Sequence, residues 1–371
     1  MEASVLTTRG GRPHTGAMAK TTARSTSKVP PFKADRYDSV PKGWFRPCGR
    51  SGLKLPAISL GCWHNFGGAG TGASGIKAEP AFHDHCRAML RTAFDLGITH
   101  FDLANNYGPP PGAAEERMGR ILAGDFRAHR NELVISSKAG WEMWPGPYGD
   151  LGSRKYLIAS LDESLKRLRL EYVDIFYHHR PDPDTPVEET MSALDTAIRQ
   201  GKVLYGGISS YSGAETKRAI EACEKNGFFK PVIHQPSYNV LDRWIEPDLL
   251  PVTAKLGLGV IAFCPLAQGK LTGKYLNGIP KNSRVMSDSP FLGKDEVTGK
   301  GLEQVRKLNE LAAARGQTLA QMALAWVVRA GAATSALIGA STPEQIVENC
   351  KALGRAAFTA EELKKIDAIV K

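Results

Sequence analysis

The sequence of 371 residues predicts a single-domain α/β protein folded as a (β/α)₈ TIM barrel. Eight short apolar runs, rich in β-branched residues, alternate with longer segments whose apolar residues recur at helical spacing. Apolar strands separated by helices are typical of a parallel sheet that is buried on both faces. Neither an internal repeat nor an interdomain linker interrupts this alternation. One closed barrel is therefore favoured, and a doubly wound open sheet is the alternative.

The predicted elements follow one another along the chain. The eight strands are expected at residues 57–60, 100–104, 133–137, 173–178, 204–209, 232–235, 260–264 and 336–339. The helical pattern is clearest in Arg154–Leu168, and Ser153 directly before it is a typical first-turn residue. Residues 265–300 are long, polar and rich in glycine, which indicates a functional loop after the seventh strand.

The barrel is expected to span residues 44–371 and to follow a basic N-terminal extension, residues 1–40, that we expect to be disordered. Residues 1–34 hold six bases and one acid, which is half of the formal net charge of +10. The body is therefore only mildly basic, and we expect no binding to nucleic acid. The extension lacks the apolar core of a secretory signal. A transit peptide for organellar import, a disordered extension and an upstream start with Met18 as the initiator all fit it.

Composition and cysteine placement limit the class of protein. The chain is 42% hydrophobic and 23% charged, which is typical of globular domains. No run approaches the roughly 18 uncharged apolar residues that cross a bilayer, so we expect no membrane insertion. The six cysteines form no C-x-x-C pair, which argues against a disulfide framework or a zinc site and favours reduced thiols in the cytoplasm.

Three successive strands are predicted to deliver polar side chains to one rim, because barrel enzymes place catalytic groups at the carboxyl ends of strands. The second strand carries Asp102, with Tyr107 in the loop that follows. The third carries Lys138, and the fourth ends at His178 and His179. The simpler alternatives are that Asp102 and Lys138 form a structural ion pair and that Tyr107 only packs within its loop. Strand alternation sends only one of the two histidines inward.

Together these side chains suggest carbonyl reduction by a tyrosine general acid. Lys138 beside Tyr107 would lower the pKa of the phenol from its usual value of about 10. Asp102 would keep Lys138 charged despite burial. His179 could orient a carbonyl oxygen through a hydrogen bond and stabilise its developing charge, and Tyr107 could then protonate that oxygen. A hydride source is still required.

Two further motifs are expected to be unrelated to the chemistry. Residues 70–75 satisfy the pattern G-x-G-x-x-G, but they follow no strand directly, and Pro80 separates them from the next helix. We interpret them as a loop over the rim of the site rather than as a dinucleotide-binding turn. His83 and His85 lie two residues apart at the start of a helix, where their side chains point away from each other, so we expect no metal site.

Longer motifs resemble a known family. They are FDLANNYGPPPGAAEERMGRIL, SSKAG, the His after YVDIFYH, GISSYS, IHQPSYN, PLAQGKLTGKYLNGIP and LIGASTPEQIVENC. From about Trp44 to the C-terminus the chain resembles the aldo-keto reductase superfamily, in the branch of bacterial L-glyceraldehyde 3-phosphate reductases and potassium-channel β subunits. The resemblance implies a tetrad of Asp102, Tyr107, Lys138 and His179, with Tyr107 as proton donor. The channel subunits carry Asn in place of His179, which favours an enzyme here.

The resemblance also implies NADPH as cofactor and a set of residues that hold it. These are Cys62, Trp63, Asp102, Ser209, Ser210, Gln235, Phe263, Cys264, Pro265, Leu266, Ala267, Gln268, Lys274, Arg284, Gly339, Ser341, Gln345, Glu348 and Asn349. Within that set, Phe263 would stack on the nicotinamide, residues 264–268 would line the pyrophosphate, and Lys274 and Arg284 would bind the 2′-phosphate. Independently of the resemblance, the turn that opens a helix at residues 342–344 presents backbone amides to an anion.

The substrate pocket is expected on the loops at the same rim. The candidate residues are Trp63, His64, Tyr107, Trp141, Trp144, Tyr148, His179 and Arg180. Aromatic side chains would form an apolar wall, while His64 and Arg180 could meet a phosphate or carboxylate; ordinary loop packing is the alternative.

The expected function is NADPH-dependent reduction of small aldehydes, such as L-glyceraldehyde 3-phosphate or, in detoxification, methylglyoxal. The alternative is an NADPH-sensing regulatory subunit of a membrane channel or of another partner. Related proteins form tetramers or octamers, so we expect a homo-oligomer.

Overall fold

The computed structural model describes residues 30–70, 74–280, 285, 293 and 295–371. Most of the predicted N-terminal extension therefore lies outside the described residues. Within the expected extension, Lys33 and Arg36 are bonded to the body of the protein. The Lys33 amide donates to Asp95 Oδ1 at 2.8 Å, and the buried guanidinium of Arg36 pairs with Glu132.

Eight parallel strands close into a barrel in the order β10-β3-β4-β5-β6-β7-β8-β9. They are β3 (Ile58–Gly61), β4 (His100–Asp102), β5 (Val134–Ala139), β6 (Val173–His178), β7 (Val203–Ser209), β8 (Ile233–Gln235), β9 (Gly259–Ala262) and β10 (Ser335–Ile338). Each predicted strand overlaps one of these, with bounds that differ by two residues or fewer. The predicted (β/α)₈ barrel is therefore confirmed, and the open doubly wound sheet is excluded.

Helices surround the barrel. They are α1 (Glu79–Asp95), α2 (Ala113–Gly124), α3 (Arg154–Leu168), α4 (Val187–Arg199), α5 (Gly213–Asn226), α6 (Leu249–Leu256), α7 (Gly299–Ala314), α8 (Leu319–Val327), α9 (Pro343–Cys350) and α10 (Ala360–Val370). Helix α3 begins where the sequence predicts, since Ser153 Oγ accepts a hydrogen bond from the Tyr156 amide at 3.3 Å. Within the ranges that the structure describes, no helix combines the length and apolar character needed to span a bilayer.

A short antiparallel hairpin, β1 (Phe45–Pro47) and β2 (Lys54–Pro56), closes the amino end of the barrel. Its Leu55 belongs to one buried cluster with Ile175 and Ile233 in the barrel interior. The turn approaches the start of β9 so closely that a Cβ on Gly49 would lie 2.1 Å from the Gly257 carbonyl oxygen. The hairpin therefore leaves the opposite, carboxyl end of the barrel for a functional site.

The barrel interior has two halves of different chemistry. The polar half, on β10, β3, β4 and β5, consists of Ser335, Ser59, His100 and Ser136. The apolar half, on β6, β8 and β9, consists of Ile175, Tyr177, Ile233 and Ile261. All eight residues are fully buried. Strand β7 contributes glycine opposite the Tyr177 ring, where a Cβ on Gly207 would lie 2.4 Å from that ring.

Candidate active site

A buried lysine joins the groups that the sequence placed on successive strand ends. Lys138 on β5 lies two residues beyond Ser136, which pairs in register with Asp102 at the end of β4. Lys138 Nζ forms an ion pair with Asp102 Oδ2 at 2.5 Å and also donates to the Leu103 carbonyl oxygen at 2.7 Å. The same ammonium group donates to Tyr107 Oη at 3.2 Å. Neither Lys138 nor Asp102 is exposed, so solvent does not screen the pair.

The local charges fix the protonation states of these groups. Burial lowers the pKa of Lys138, but Asp102 and Tyr107 outweigh it, so that its net pKa is raised and the ammonium stays charged. Burial raises the pKa of Tyr107 by more than Lys138 lowers it. The expected lowering of the phenol pKa is therefore wrong as a net result, because the sequence does not reveal the extent of desolvation. Tyr107 is held as a protonated phenol, which suits a proton donor.

The two adjacent histidines at the carboxyl end of β6 face opposite sides of the strand. The ring of His179 faces the site, with its centroid 6.0 Å from that of Tyr107. Burial lowers the pKa of His179 well below its usual value, so the ring is neutral and has one N–H to donate. His178 faces the helices instead, where its Nδ1 lies 2.6 Å from Tyr211 Oη. Strand alternation thus separates a site-facing histidine from a packing one.

The wall beside Asp102 comes from β7 and β8. Gln235 Nε2 donates to Asp102 Oδ1 at 3.2 Å, and Ser209 Oγ donates to the Gln235 carbonyl oxygen at 2.8 Å. Directly after β3, the amide of Cys62 donates to the Asp102 carbonyl oxygen at 2.8 Å, and the adjacent Trp63 ring lies 6.0 Å from the Tyr107 ring. Four of the residues proposed from the sequence, Gln235, Ser209, Cys62 and Trp63, therefore lie around Asp102 and Tyr107.

The loop after β9 has an unusual backbone where the sequence predicts pyrophosphate contacts. Cys264, Ala267 and Gln268 have φ values of 53°, 48° and 59°, and Ser210 at the end of β7 has 62°. Non-glycine residues rarely adopt this left-handed conformation, and successive amides in such turns form concave anion sites. Pro265 and Leu266 lie within the same turn, and Phe263 packs partly buried against the barrel core.

The remaining cofactor candidates lie farther from the tyrosine. Lys274 is exposed, and Arg284 lies outside the described residues. The Ser341 amide donates to Gln345 Oε1 at 2.8 Å at the start of α9. Near the end of that helix, Glu348 pairs with Lys351 and Asn349 is buried, whereas Gly339 faces open space. Several of these side chains are thus already bonded within the protein.

Arg180, the predicted anion contact, already has a carboxylate partner that the sequence analysis missed. Its Nη2 lies 3.0 and 2.9 Å from the two oxygens of Asp150, and its Nε donates to the Gly140 carbonyl oxygen at 2.7 Å. Its guanidinium carbon lies 3.8 Å from the centroid of the Trp141 ring. An anionic substrate would have to share this arginine with Asp150. An acidic residue in the loop after the third strand was the available signal.

The other rim aromatics divide into packed and exposed groups. Trp144 lies against Tyr156 of α3 with ring centroids 5.1 Å apart, and the His64 ring lies 3.8 Å from that of Trp63. Trp141 and Tyr148 are 45% and 54% exposed, so they remain accessible to a ligand.

Asn105, which the sequence analysis also missed, braces this side of the site. Its amide donates to Tyr156 Oη at 2.9 Å, and Tyr156 Oη donates to the Trp141 carbonyl oxygen at 2.5 Å. The loop that carries Tyr107 is thereby tied to the loop that carries Trp141.

The His83/His85 pair and the glycine motif at residues 70–75 are the two motifs that we expected to be unrelated to the chemistry. His85 Nε2 donates to the Ser341 carbonyl oxygen at 2.8 Å, and burial lowers the pKa of His83. In the part of the chain that the structure describes, no group of three or more His, Cys, Asp or Glu side chains is arranged to hold a metal ion. Residues 71–73 of the glycine motif lie outside the described residues.

Comparisons with known proteins identify the family of this chain. The model of the aldo/keto reductase family matches residues 58–371. A protein named L-glyceraldehyde 3-phosphate reductase from Escherichia coli (strain K12) is 55% identical over 327 residues, which cover 87% of this chain and 91% of the relative. A protein named putative voltage-gated potassium channel subunit beta from Schizosaccharomyces pombe is 40% identical over 335 residues, covering 88% and 93%. The resemblance found in the sequence is confirmed: the chain belongs to the aldo/keto reductase family and is an oxidoreductase.

Proposed function

We propose that this protein reduces small aldehydes to alcohols with NADPH, and that Tyr107 donates the proton. The observation that carries the proposal is the buried line from Asp102 through Lys138 to Tyr107, next to the neutral ring of His179. L-Glyceraldehyde 3-phosphate is the first candidate substrate, because the relative of that name is 55% identical to this chain. Methylglyoxal is the second candidate.

Support for a dinucleotide cofactor comes from the backbone around the site. The turn at residues 264–268, with its left-handed residues, has a backbone of the kind that forms anion sites and would suit a pyrophosphate, and Ser209 and Gln235 offer polar groups to the nicotinamide end. Lys274 and Arg284 are the cations that would distinguish NADPH from NADH. When bound, the dinucleotide supplies the hydride that reduces the carbonyl carbon.

The protein's own groups would handle the carbonyl oxygen and its proton. His179, being neutral, donates a hydrogen bond that orients the carbonyl and stabilises its developing negative charge. Tyr107 then transfers its phenolic proton to that oxygen. Lys138 stabilises the phenolate that remains, and Asp102 keeps the ammonium charged in its buried position. The tyrosine is reprotonated before the next turnover.

Substitution of Tyr107 by Phe tests this role directly. The wild type should oxidise NADPH in the presence of L-glyceraldehyde 3-phosphate, methylglyoxal or 4-nitrobenzaldehyde. Tyr107→Phe should lower kcat by about 10²- to 10⁴-fold, because it removes only the proton donor. NADPH affinity, measured by fluorescence titration, should be retained. A variant with a near wild-type rate would contradict the proton-donor role. Tight NADPH binding by a wild type without turnover would instead indicate a sensing subunit.

We also propose a cytoplasmic homo-oligomer, a tetramer or an octamer. None of the six cysteines forms a disulfide, and all are buried or half-buried, which fits a reducing compartment. Light scattering of the purified protein would measure its mass, and a monomer would contradict the proposed assembly. Fractionation of cells that produce the full chain would test the compartment.

A further inference from the structure

The four side chains of the polar half form one continuous hydrogen-bond chain that ends on Asp102. The oxygen and nitrogen atoms are separated by 2.7 Å from Ser335 to Ser59, 3.0 Å from Ser59 to His100 Nδ1, 2.9 Å from His100 Nε2 to Ser136, and 2.6 Å from Ser136 to Asp102 Oδ1. Every member of the chain is fully buried. Four adjacent strands supply these residues, so the spacing is set by the register of the barrel.

The number of protons that each member can donate fixes the direction of donation along the hydrogen-bond chain. A carboxylate only accepts, so Ser136 gives its one hydroxyl proton to Asp102. The Ser136 oxygen must then accept from His100, which places the imidazole proton on Nε2. Burial lowers the pKa of His100 to about 4, so the ring is neutral and its Nδ1 has a lone pair. That lone pair accepts the proton of Ser59, and Ser59 in turn accepts from Ser335.

We propose that His100 is a positioning residue, held as its Nε2–H tautomer, that directs this one-way chain of hydrogen bonds onto Asp102. Aligned hydrogen bonds polarise one another in a buried environment, so each donor strengthens the next. Ser136, the last donor, bonds to Oδ1 of Asp102, and the ammonium of Lys138 bonds to Oδ2. The tautomer assignment follows from the hydrogen-bond geometry and the neutral ring, and it is independent of the proposed function, whereas its kinetic consequence rests on the proposed role of Tyr107.

The chain acts on Tyr107 through the buried ion pair. Hydrogen bonds to Asp102 Oδ1 stabilise the negative charge of the carboxylate. That charge would otherwise weaken the effect of Lys138 on the pKa of the Tyr107 phenol. Without the chain, Tyr107 should lose its proton only at higher pH and should be a weaker acid. The titratable groups that face Asp102 and Tyr107 from the surrounding elements are Cys62, His100, Lys138, Tyr177, His179 and Cys264.

A matched pair of variants tests the donor position. In His100→Asn the amide is too short to reach Ser136, whereas in His100→Gln the amide nitrogen occupies the place of Nε2. We expect His100→Asn to lower kcat about tenfold and to move the alkaline limb of the kcat–pH profile to higher pH, with little change in KM. Ser136→Ala should do the same, and His100→Gln should restore the wild-type profile. A loss of folded enzyme alone would lower the rate without moving the limb.

Nitrogen-15 NMR of histidine-labelled wild type, with His100 assigned through His100→Gln, tests the tautomer without any kinetic assay. The expected result is a protonated Nε2 and an unprotonated Nδ1 at neutral pH. The reverse tautomer, a charged ring, or an unmoved alkaline limb in both His100→Asn and Ser136→Ala would overturn the inference. If His100→Asn fails to fold, Ser136→Ala and the NMR result decide. Failure of the proposed function appears separately, as turnover that persists in Tyr107→Phe.

Discussion

The two halves of the barrel interior are equally buried, but they contribute to the protein in different ways. The apolar half stabilises the fold through dispersion and loss of water, which tolerate small shifts in position. The polar half gains little from burial unless every donor and acceptor is paired, and its members are paired in sequence. We therefore expect truncations in the apolar half to act on stability alone, and truncations in the polar half to act also on the orientation of Asp102. Variants and pH should separate these two contributions.

Acid should produce the largest effect, because it acts on buried neutral histidines, of which His100 lies in the polar half and His178 and His234 face outward from strands of the apolar half. Burial lowers the pKa of His100 and of His178 to about 4, and that of His234 to about 3. In the unfolded chain these groups take up a proton near pH 6.5, whereas the folded protein keeps them neutral. The free energy of unfolding should therefore fall as pH drops from about 6.5 towards 4, by about 1.4 kcal/mol per pH unit for each histidine.

Urea unfolding between pH 7 and pH 5 measures this slope, in a range where most carboxylates do not yet titrate. His234 lies on a strand of the apolar half but faces outward, with its Nε2 donating to the Tyr211 carbonyl oxygen at 3.1 Å. His234→Gln should flatten the slope by the contribution of one group and leave the alkaline limb of kcat unchanged. A free energy of unfolding that stays constant down to pH 5 would contradict the neutral state of these histidines.

Truncation in the apolar half should give the next largest effect on stability. Ile233 is fully buried in the cluster that joins the barrel interior to the hairpin. Ile233→Ala should lower the free energy of unfolding by about 2–5 kcal/mol, through lost burial and the cavity that it leaves. The folded fraction should keep the wild-type pH profile of kcat. Its counterpart, Ser136→Ala, removes the acceptor of the buried His100 Nε2–H, so it should also lower the stability but, unlike Ile233→Ala, should move the alkaline limb. A shifted profile in Ile233→Ala would contradict the division into halves.

The sequence predicted the apolar part of the fold better than the polar part of the site. Buried parallel strands are continuous apolar runs, so all eight were found, whereas β1 and β2 are three residues each and depend on packing against the barrel end. The strand-end rule located Asp102, Lys138 and the histidines because position along a strand sets depth. It could not supply the net pKa of Tyr107, which depends on desolvation. Nor could it pair Arg180 with Asp150, which lies thirty residues away along the chain.

We expect the charge of the substrate to be recognised by Arg180 at the rim of the barrel, outside both halves of the interior. Arg180→Ala should raise KM for L-glyceraldehyde 3-phosphate about tenfold more than KM for 4-nitrobenzaldehyde, because a charge-assisted contact to the phosphate is lost. Asp150→Asn should act in the opposite direction, since it frees the guanidinium that Asp150 now holds. Equal changes for the two aldehydes in either variant would show that Arg180 does not contact the phosphate. Neither variant should move the alkaline limb.

Lys274 should give the smallest effect, because its side chain is exposed and water screens its charge. In Lys274→Met we expect the ratio of kcat/KM with NADPH to that with NADH to fall about three- to tenfold, mainly through a higher KM for NADPH. Lys270, which pairs with Glu296 at 2.8 Å in the same loop, offers a matched control. Lys270→Met removes an equal charge without removing the proposed phosphate contact. If both variants change the ratio equally, the preference reflects the general charge of the loop, and the phosphate site lies elsewhere.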